Sequence, residues 1–189
     1  MPQPRPGHEH CNKGLPPTID TPRLRLREPR GSDAAGIFSA YAQDPAVCRF
    51  MIWKPHASEA ASDEFIAWCI AAWQGGACRP YVITRSESEL PIGTIDARLQ
   101  GTTVDIGYVL ARPQWGHGLM PEAIRALADA ALADPGIFRV QAACDVENIP
   151  SQRALEKSGF VRERRLERFM VHPNMSPEPR ACLMYASCR

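Results

Sequence analysis

The chain has 189 residues, enough for one domain with a sizeable core. Its 22 Lys and Arg against 21 Asp and Glu give a formal net charge of +1, so neither nucleic acid nor an anionic membrane is an expected partner. The seven cysteines are scattered with no Cys-x-x-Cys pair, and no apolar leader or run of about 18 apolar residues occurs, so a reducing cytoplasm is the expected setting.

Residues 1–17 hold Pro2, Pro4, Pro6, Pro16 and Pro17 among polar neighbours, a composition read as a flexible arm ahead of a single domain over 18–189. His8, His10 and Cys11 have no second ligand cluster to complete a site, so no metal is predicted. Arg23-Leu24-Arg25-Leu26-Arg27 alternates with period two, a strand with its leucines inward and its arginines in solvent. Ser32 or Asp33 then caps a helix through about Tyr41. A second helix spans about Ser58 to Trp73, with Phe65, Trp68, Cys69, Ala72 and Trp73 on one stripe. Those aromatics form core or, with Trp53 and His56, the wall of an acceptor pocket.

Strands at Tyr81 to Thr84, Ile92 to Leu99 and Val104 to Leu110 read as an antiparallel meander. Directly after it, Arg112-Pro113-Gln114-Trp115-Gly116-His117-Gly118-Leu119-Met120-Pro121-Glu122-Ala123 opens a helix. Glycines at 116 and 118 permit positive φ, so successive N–H groups can converge on an anion beside the positive helix end. A dinucleotide fingerprint would need a third glycine where Pro121 stands, and a P-loop would need Gly-Lys-Ser/Thr, which the chain lacks. A tight strand-to-helix turn is the plain alternative. The helix carries Ile124, Leu127, Ala128, Ala131 and Leu132 on one stripe, with Glu122, Arg125 and Asp129 opposite, and Asp134-Pro135-Gly136 ends it. Phe138 to Cys144 follows as a strand parallel to its predecessor. Asn148-Ile149-Pro150-Ser151-Gln152-Arg153-Ala154-Leu155-Glu156-Lys157-Ser158-Gly159-Phe160 is a short helix capped by Asn148 and closed by Gly159, and two strands end the chain.

In this order, and with Pro22 to Arg27, Ile92-Gly93-Thr94-Ile95 and Asp105-Ile106-Gly107-Tyr108-Val109-Leu110 joining the two motifs, the chain from about Thr18 to Arg189 resembles the GNAT superfamily of acyl-CoA-dependent N-acyltransferases. The branch is that of the ribosomal-protein N-terminal acetyltransferases. The resemblance implies an α/β (α+β) fold, with a mixed, mostly antiparallel central sheet splayed between its fourth and fifth strands and flanked by about four helices. It implies acetyl-CoA as cofactor and an amine acceptor, either a protein N-terminus or a small molecule, acetylated by direct attack in a ternary complex by a monomer or homodimer. A non-catalytic acyl-CoA sensor is the alternative.

By the same resemblance, Trp115, Gly116, His117, Gly118, Leu119 and Met120 bind the coenzyme pyrophosphate through backbone amides, and Val109, Leu110 and Ala111 lie beside the pantetheine. The pattern departs at Pro113, which has no N–H where the family carries Gln or Arg, so the anion is expected to be held from Trp115 onward. Ser151 stands where the branch places the proton donor to sulfur, or else bonds backbone in the first helical turn. Asn148 either orients the pantetheine or caps the helix. Asp105 is the leading general base, with Glu147 and Asp96 in reserve, or else a solvated strand residue. The N–H of Val109 or Leu110 is the natural oxyanion donor. Arg153 and Lys157 reach the 3′-phosphate or line a solvated face, and Cys144 reads as a small buried hydrophobe.

Overall fold

In the computed structural model, which describes residues 14–189, one eight-stranded sheet organises the chain. Its strands are β1 (Thr18–Asp20), β2 (Leu24–Arg27), β3 (Cys78–Arg85), β4 (Pro91–Gln100), β5 (Thr103–Leu110), β6 (Arg139–Asp145), β7 (Val161–Val171) and β8 (Pro179–Cys188), in the order β1-β2-β3-β4-β5-β6-β8-β7. The helices are α1 (Asp33–Ile37), which runs into a π-helical turn (Phe38–Ala42), then α2 (Pro45–Cys48), α3 (Glu59–Gly75), α4 (Leu119–Leu132) and α5 (Ile149–Lys157). Every strand pairing is antiparallel except β5 with β6, between which α4 serves as the crossover.

The mixed, mostly antiparallel sheet is the one expected, and the differences have local causes. β1 adds a strand at the edge, so the expected fourth and fifth strands are β5 and β6. Leu15 is buried in the main core and the Tyr81 hydroxyl donates to Pro16 O (2.7 Å), so the chain is laid on the domain before Thr18. His8, His10 and Cys11 lie outside the described residues. α2 is a single turn that periodicity cannot resolve. Asp44 caps it by accepting the Ala46 N–H (2.9 Å), with Pro45 at its first position.

Neither Ser32 nor Asp33 caps α1 through its side chain. The Asp33 carboxylate instead accepts the Arg30 N–H (2.7 Å) and both terminal nitrogens of Arg27 (2.9 and 2.7 Å). Arg27, expected in solvent, is therefore 3% exposed, and this bidentate pair is what makes its burial tolerable. Leu24 and Leu26 are fully buried, as their alternation requires.

Alternation also sorts β4 and β5 between two faces. Ile95, Ala97, Ile106 and Leu110 join Ile124 and Leu127 of α4 in the main core. Val109 packs with Ile37 and Ile66 on the opposite face, where the Tyr41 hydroxyl lies 3.4 Å from Thr94 Oγ1. Asp96, Arg98, Asp105 and Gly107 belong to this second face, the side of α1 and α3.

Candidate active site

β5 and β6 stay paired only over Thr103↔Arg139, Val104↔Val140 and Asp105↔Gln141. Beyond that, β5 keeps to β4 as far as Leu110↔Gly93 while β6 keeps to β8 as far as Asp145↔Cys182, so a gap opens between 106–110 and 142–145. A cavity of about 1410 Å³ runs through it. Of the predicted site residues, Val109, Leu110, Trp115, Gly116, Gly118, Leu119, Met120, Asn148, Ser151, Arg153, Asp105 and Asp96 border this cavity; Ala111, buried in the smaller core, His117 and Glu147, both exposed, and His56 do not.

The phase of the ladder decides which amides face the gap. Ala111 N–H donates to Ile92 O across the β4 edge (2.8 Å), and Phe138 N–H donates to Thr102 O on the β6 side (3.0 Å). Odd residues of β5 therefore bond β4, whereas Tyr108 and Leu110 turn their polar groups to the edge that β6 has left. The Leu110 carbonyl accepts the Trp115 indole N–H (2.7 Å), and the Leu110 N–H points into the same gap. Of the two expected oxyanion donors, Leu110 has the right orientation and Val109 does not.

At the open end stands the cradle. Gly116 (φ 79°) and Gly118 (φ 72°) are both left-handed, and a Cβ built at Gly116 would meet nothing within 4 Å. Trp115 spends its N–H on Arg112 O (3.1 Å) and Gln114 on Ala111 O (2.9 Å), so the donors for an anion begin at Gly116, one residue later than expected. The Gln114 side chain is anchored at its Oε1, which accepts from Arg85 (2.8 Å). The start of α4 leaves its first N–H groups without helical partners. From behind, Arg23 donates to the carbonyls of His117 (2.9 Å) and Gly118 (3.3 Å) and pairs with Glu122, which also accepts the Thr21 hydroxyl (2.7 Å). Burial raises the Glu122 pKa, but the hydrogen bonds from Thr21 and Arg23 outweigh it and hold the carboxyl below its ordinary range. Arg153 and Lys157 border the cavity on the same side, with Arg153 exposed.

Across the gap, Asn148 caps α5 by accepting the Ser151 N–H (3.2 Å). The Ser151 hydroxyl lies 2.7 Å from the Tyr108 hydroxyl. Tyr108 is the site residue that sequence reasoning missed, although its place in β5, one residue from Gly107 on the core-facing side, marks it. Burial raises its pKa, so the phenol stays protonated. The neighbouring Cys144 thiol is pushed up to about 12, chiefly by burial, which suits a packing role and not a nucleophile.

On the opposite face, Arg98 bridges two carboxylates, Asp96 Oδ2 and Asp105 Oδ1 (2.5 Å to the latter), and Gln141 Nε2 donates to Asp105 Oδ2 (3.3 Å). Glu147 is exposed and paired with Arg180 (2.6 Å). The α3 stripe divides: Cys69 and Trp73 are core, whereas Phe65 and the half-exposed Trp68 stack (6.2 Å between centroids) and border the cavity with Trp53. Asn174, between β7 and β8, donates to Cys48 O (2.7 Å) and Trp53 O (2.8 Å), tying the loop before α3 to the far rim.

A splayed parallel strand pair, an amide cradle at its open end and a hydroxyl pair in its wall define an acyl-CoA-dependent acyltransferase architecture. The chain belongs to the acetyltransferase (GNAT) domain family, whose profile matches residues 23–161. It is 28% identical over 149 residues (77% of this chain, 83% of the relative) to the uncharacterized N-acetyltransferase p20 of Bacillus licheniformis. Its fold matches that of the microcin C7 self-immunity acetyltransferase MccE, solved in complex with acetyl-CoA and AMP, with a TM-score of 0.82 at 20% identity over 94% of this chain and 99% of that one. Mycobacterium smegmatis RimJ, in complex with a CoA disulfide, matches with a TM-score of 0.79 at 23% identity over 93% and 88%. No helix among the described residues is long and apolar enough to cross a membrane.

Proposed function

We propose that the chain transfers the acetyl group of acetyl-CoA to a primary amine, a protein N-terminus or a small-molecule amine, by direct attack with both ligands bound. The observation that carries this reading is the gap itself, whose cavity of about 1410 Å³ exceeds what one small ligand fills and spans both faces of the sheet. Acetyl-CoA, the family's acyl donor, supplies an acetyl carbon activated as a thioester. The residues fit it: the amides of 116–120 would hold its pyrophosphate, Arg153 and Lys157 its terminal phosphate, and the Leu110 N–H would stabilise charge on its carbonyl oxygen. Ser151 and Tyr108 hold a proton for the departing sulfur. Orienting two bound reactants is worth about 7 to 11 kcal/mol in favourable cases, which leaves modest acid-base work to the side chains.

The test is thiol release from acetyl-CoA by the purified chain over a panel of N-terminal peptides and small amines, with the acetylated product identified by mass. Amine-dependent release supports the reading. Tight acetyl-CoA binding without release across the panel makes the chain a sensor instead.

A further inference from the structure

The acceptor side of the gap holds two carboxylates, and their surroundings distinguish them. Asp105 sits on the last paired rung between β5 and β6, with Arg98 on one oxygen (2.5 Å) and the Gln141 amide on the other (3.3 Å). Asp96 sits across from Gly107, one step further toward the gap, with Oδ2 on Arg98. Its Oδ1 overhangs Gly107, 2.8 Å from where a Cβ would stand, so the missing side chain is the space this carboxylate occupies. With one cation between two carboxylates, the cluster carries a net negative charge and attracts an ammonium.

We propose, on the acetyl-transfer reading above, that Asp96 and not Asp105 is the residue that receives the acceptor's proton. The ammonium gives one proton to the Asp96 carboxylate, and the freed lone pair forms the N–C bond as the C–S bond breaks. Sulfur takes a proton from the Ser151–Tyr108 pair on the other face, and the nitrogen's second proton replaces it. The sum is an N-acetyl amine, a free thiol and one proton carried off by Asp96. Base and acid thus work from opposite faces of one sheet across a gap in it.

The groups facing Asp96 favour this role near neutral pH. They are Arg98 on its own strand, Asp105 on β5, Cys78 on β3 and Cys69 on α3. Both thiols are pushed up to about 12 by burial and stay neutral. Burial raises the Asp96 pKa to about 6 against the pull of Arg98, so the carboxylate is the form present at pH 7 and is basic enough to accept a proton. Because only the deprotonated form works, kcat/KM rises as pH climbs through about 6.

The experiment is a pH profile of kcat/KM for the full chain and for Asp96→Asn, Asp105→Asn and Gly107→Ala, together with carboxyl-carbon NMR titration of aspartate-labelled protein without substrates. Asp96→Asn is expected to lose about a hundredfold in kcat/KM and the acidic limb with it, whereas Asp105→Asn keeps the limb. Gly107→Ala, which retains both carboxylates and displaces only the Asp96 side chain end and its arginine, shifts the limb without lowering the melting temperature appreciably. The NMR signal titrating near 6 disappears in Asp96→Asn. A limb that survives Asp96→Asn, or an Asp96 signal that titrates in the ordinary carboxylate range, overturns the assignment. Absence of turnover by the unmodified chain on every amine overturns the transferase reading, and Asp96's role with it.

Discussion

Ser151 illustrates how one residue's role is decided by its neighbours. A serine in the first turn of a helix ordinarily competes for backbone partners, but here Asn148 takes the Ser151 N–H and the hydroxyl is left to Tyr108. On the proposed function two hydroxyls 2.7 Å apart would share one donor task, so their contributions would overlap. Ser151→Ala and Tyr108→Phe are each expected to lower kcat by about tenfold to a hundredfold, with KM for acetyl-CoA nearly unchanged. The double variant should lose little more than the worse single one. Full multiplication of the two losses in a double-mutant cycle of kcat would show that the hydroxyls act separately.

At the scale of elements, the cradle is held by something outside it. A peptide plane carries its N–H opposite its C=O, so when Arg23 grips the carbonyls of His117 and Gly118, the N–H groups of Gly118 and Leu119 are turned the other way, where the proposed function would seat a pyrophosphate. Arg23→Gln or Glu122→Gln is expected to raise KM for acetyl-CoA by about tenfold, roughly 1.4 kcal/mol, while kcat stays within about twofold. Calorimetric binding of CoA to the variants checks it, and unchanged affinity refutes it. This arrangement was only half legible beforehand. The glycine spacing announces the cradle, because positive φ at 116 and 118 is a local property of those residues. Glu122 reads as a solvent-facing helix residue, because its partners Thr21 and Arg23 lie a hundred positions back and meet it only once β2 packs beside α4. Arg27 misleads in the same way: alternation places the leucines correctly but cannot foresee Asp33 folding under the strand. The Asp96–Arg98–Asp105 cluster likewise needs the β4–β5 register, which no single strand contains.

The whole molecule is a sheet in two halves, β1 to β5 and β6 to β8, joined at three rungs and by α4, which crosses between them. A ligand lying in the gap would hydrogen-bond amides that neither half satisfies, and so would tie the halves together in the folded state alone. Linkage then gives about 2.7 kcal/mol of added stability at a ligand concentration a hundred times Kd. For a chain of this size that is a rise of about 5–10 °C in melting temperature. Acetyl-CoA and CoA should both produce it, because the cradle and the Leu110 edge grip parts common to the two. ATP and NAD should not, because the loop lacks the P-loop lysine and has Pro121 where a dinucleotide fingerprint needs glycine. A comparable rise with ATP or NAD and none with CoA would remove the acyltransferase reading of the gap, since the same amides would then be serving a nucleotide.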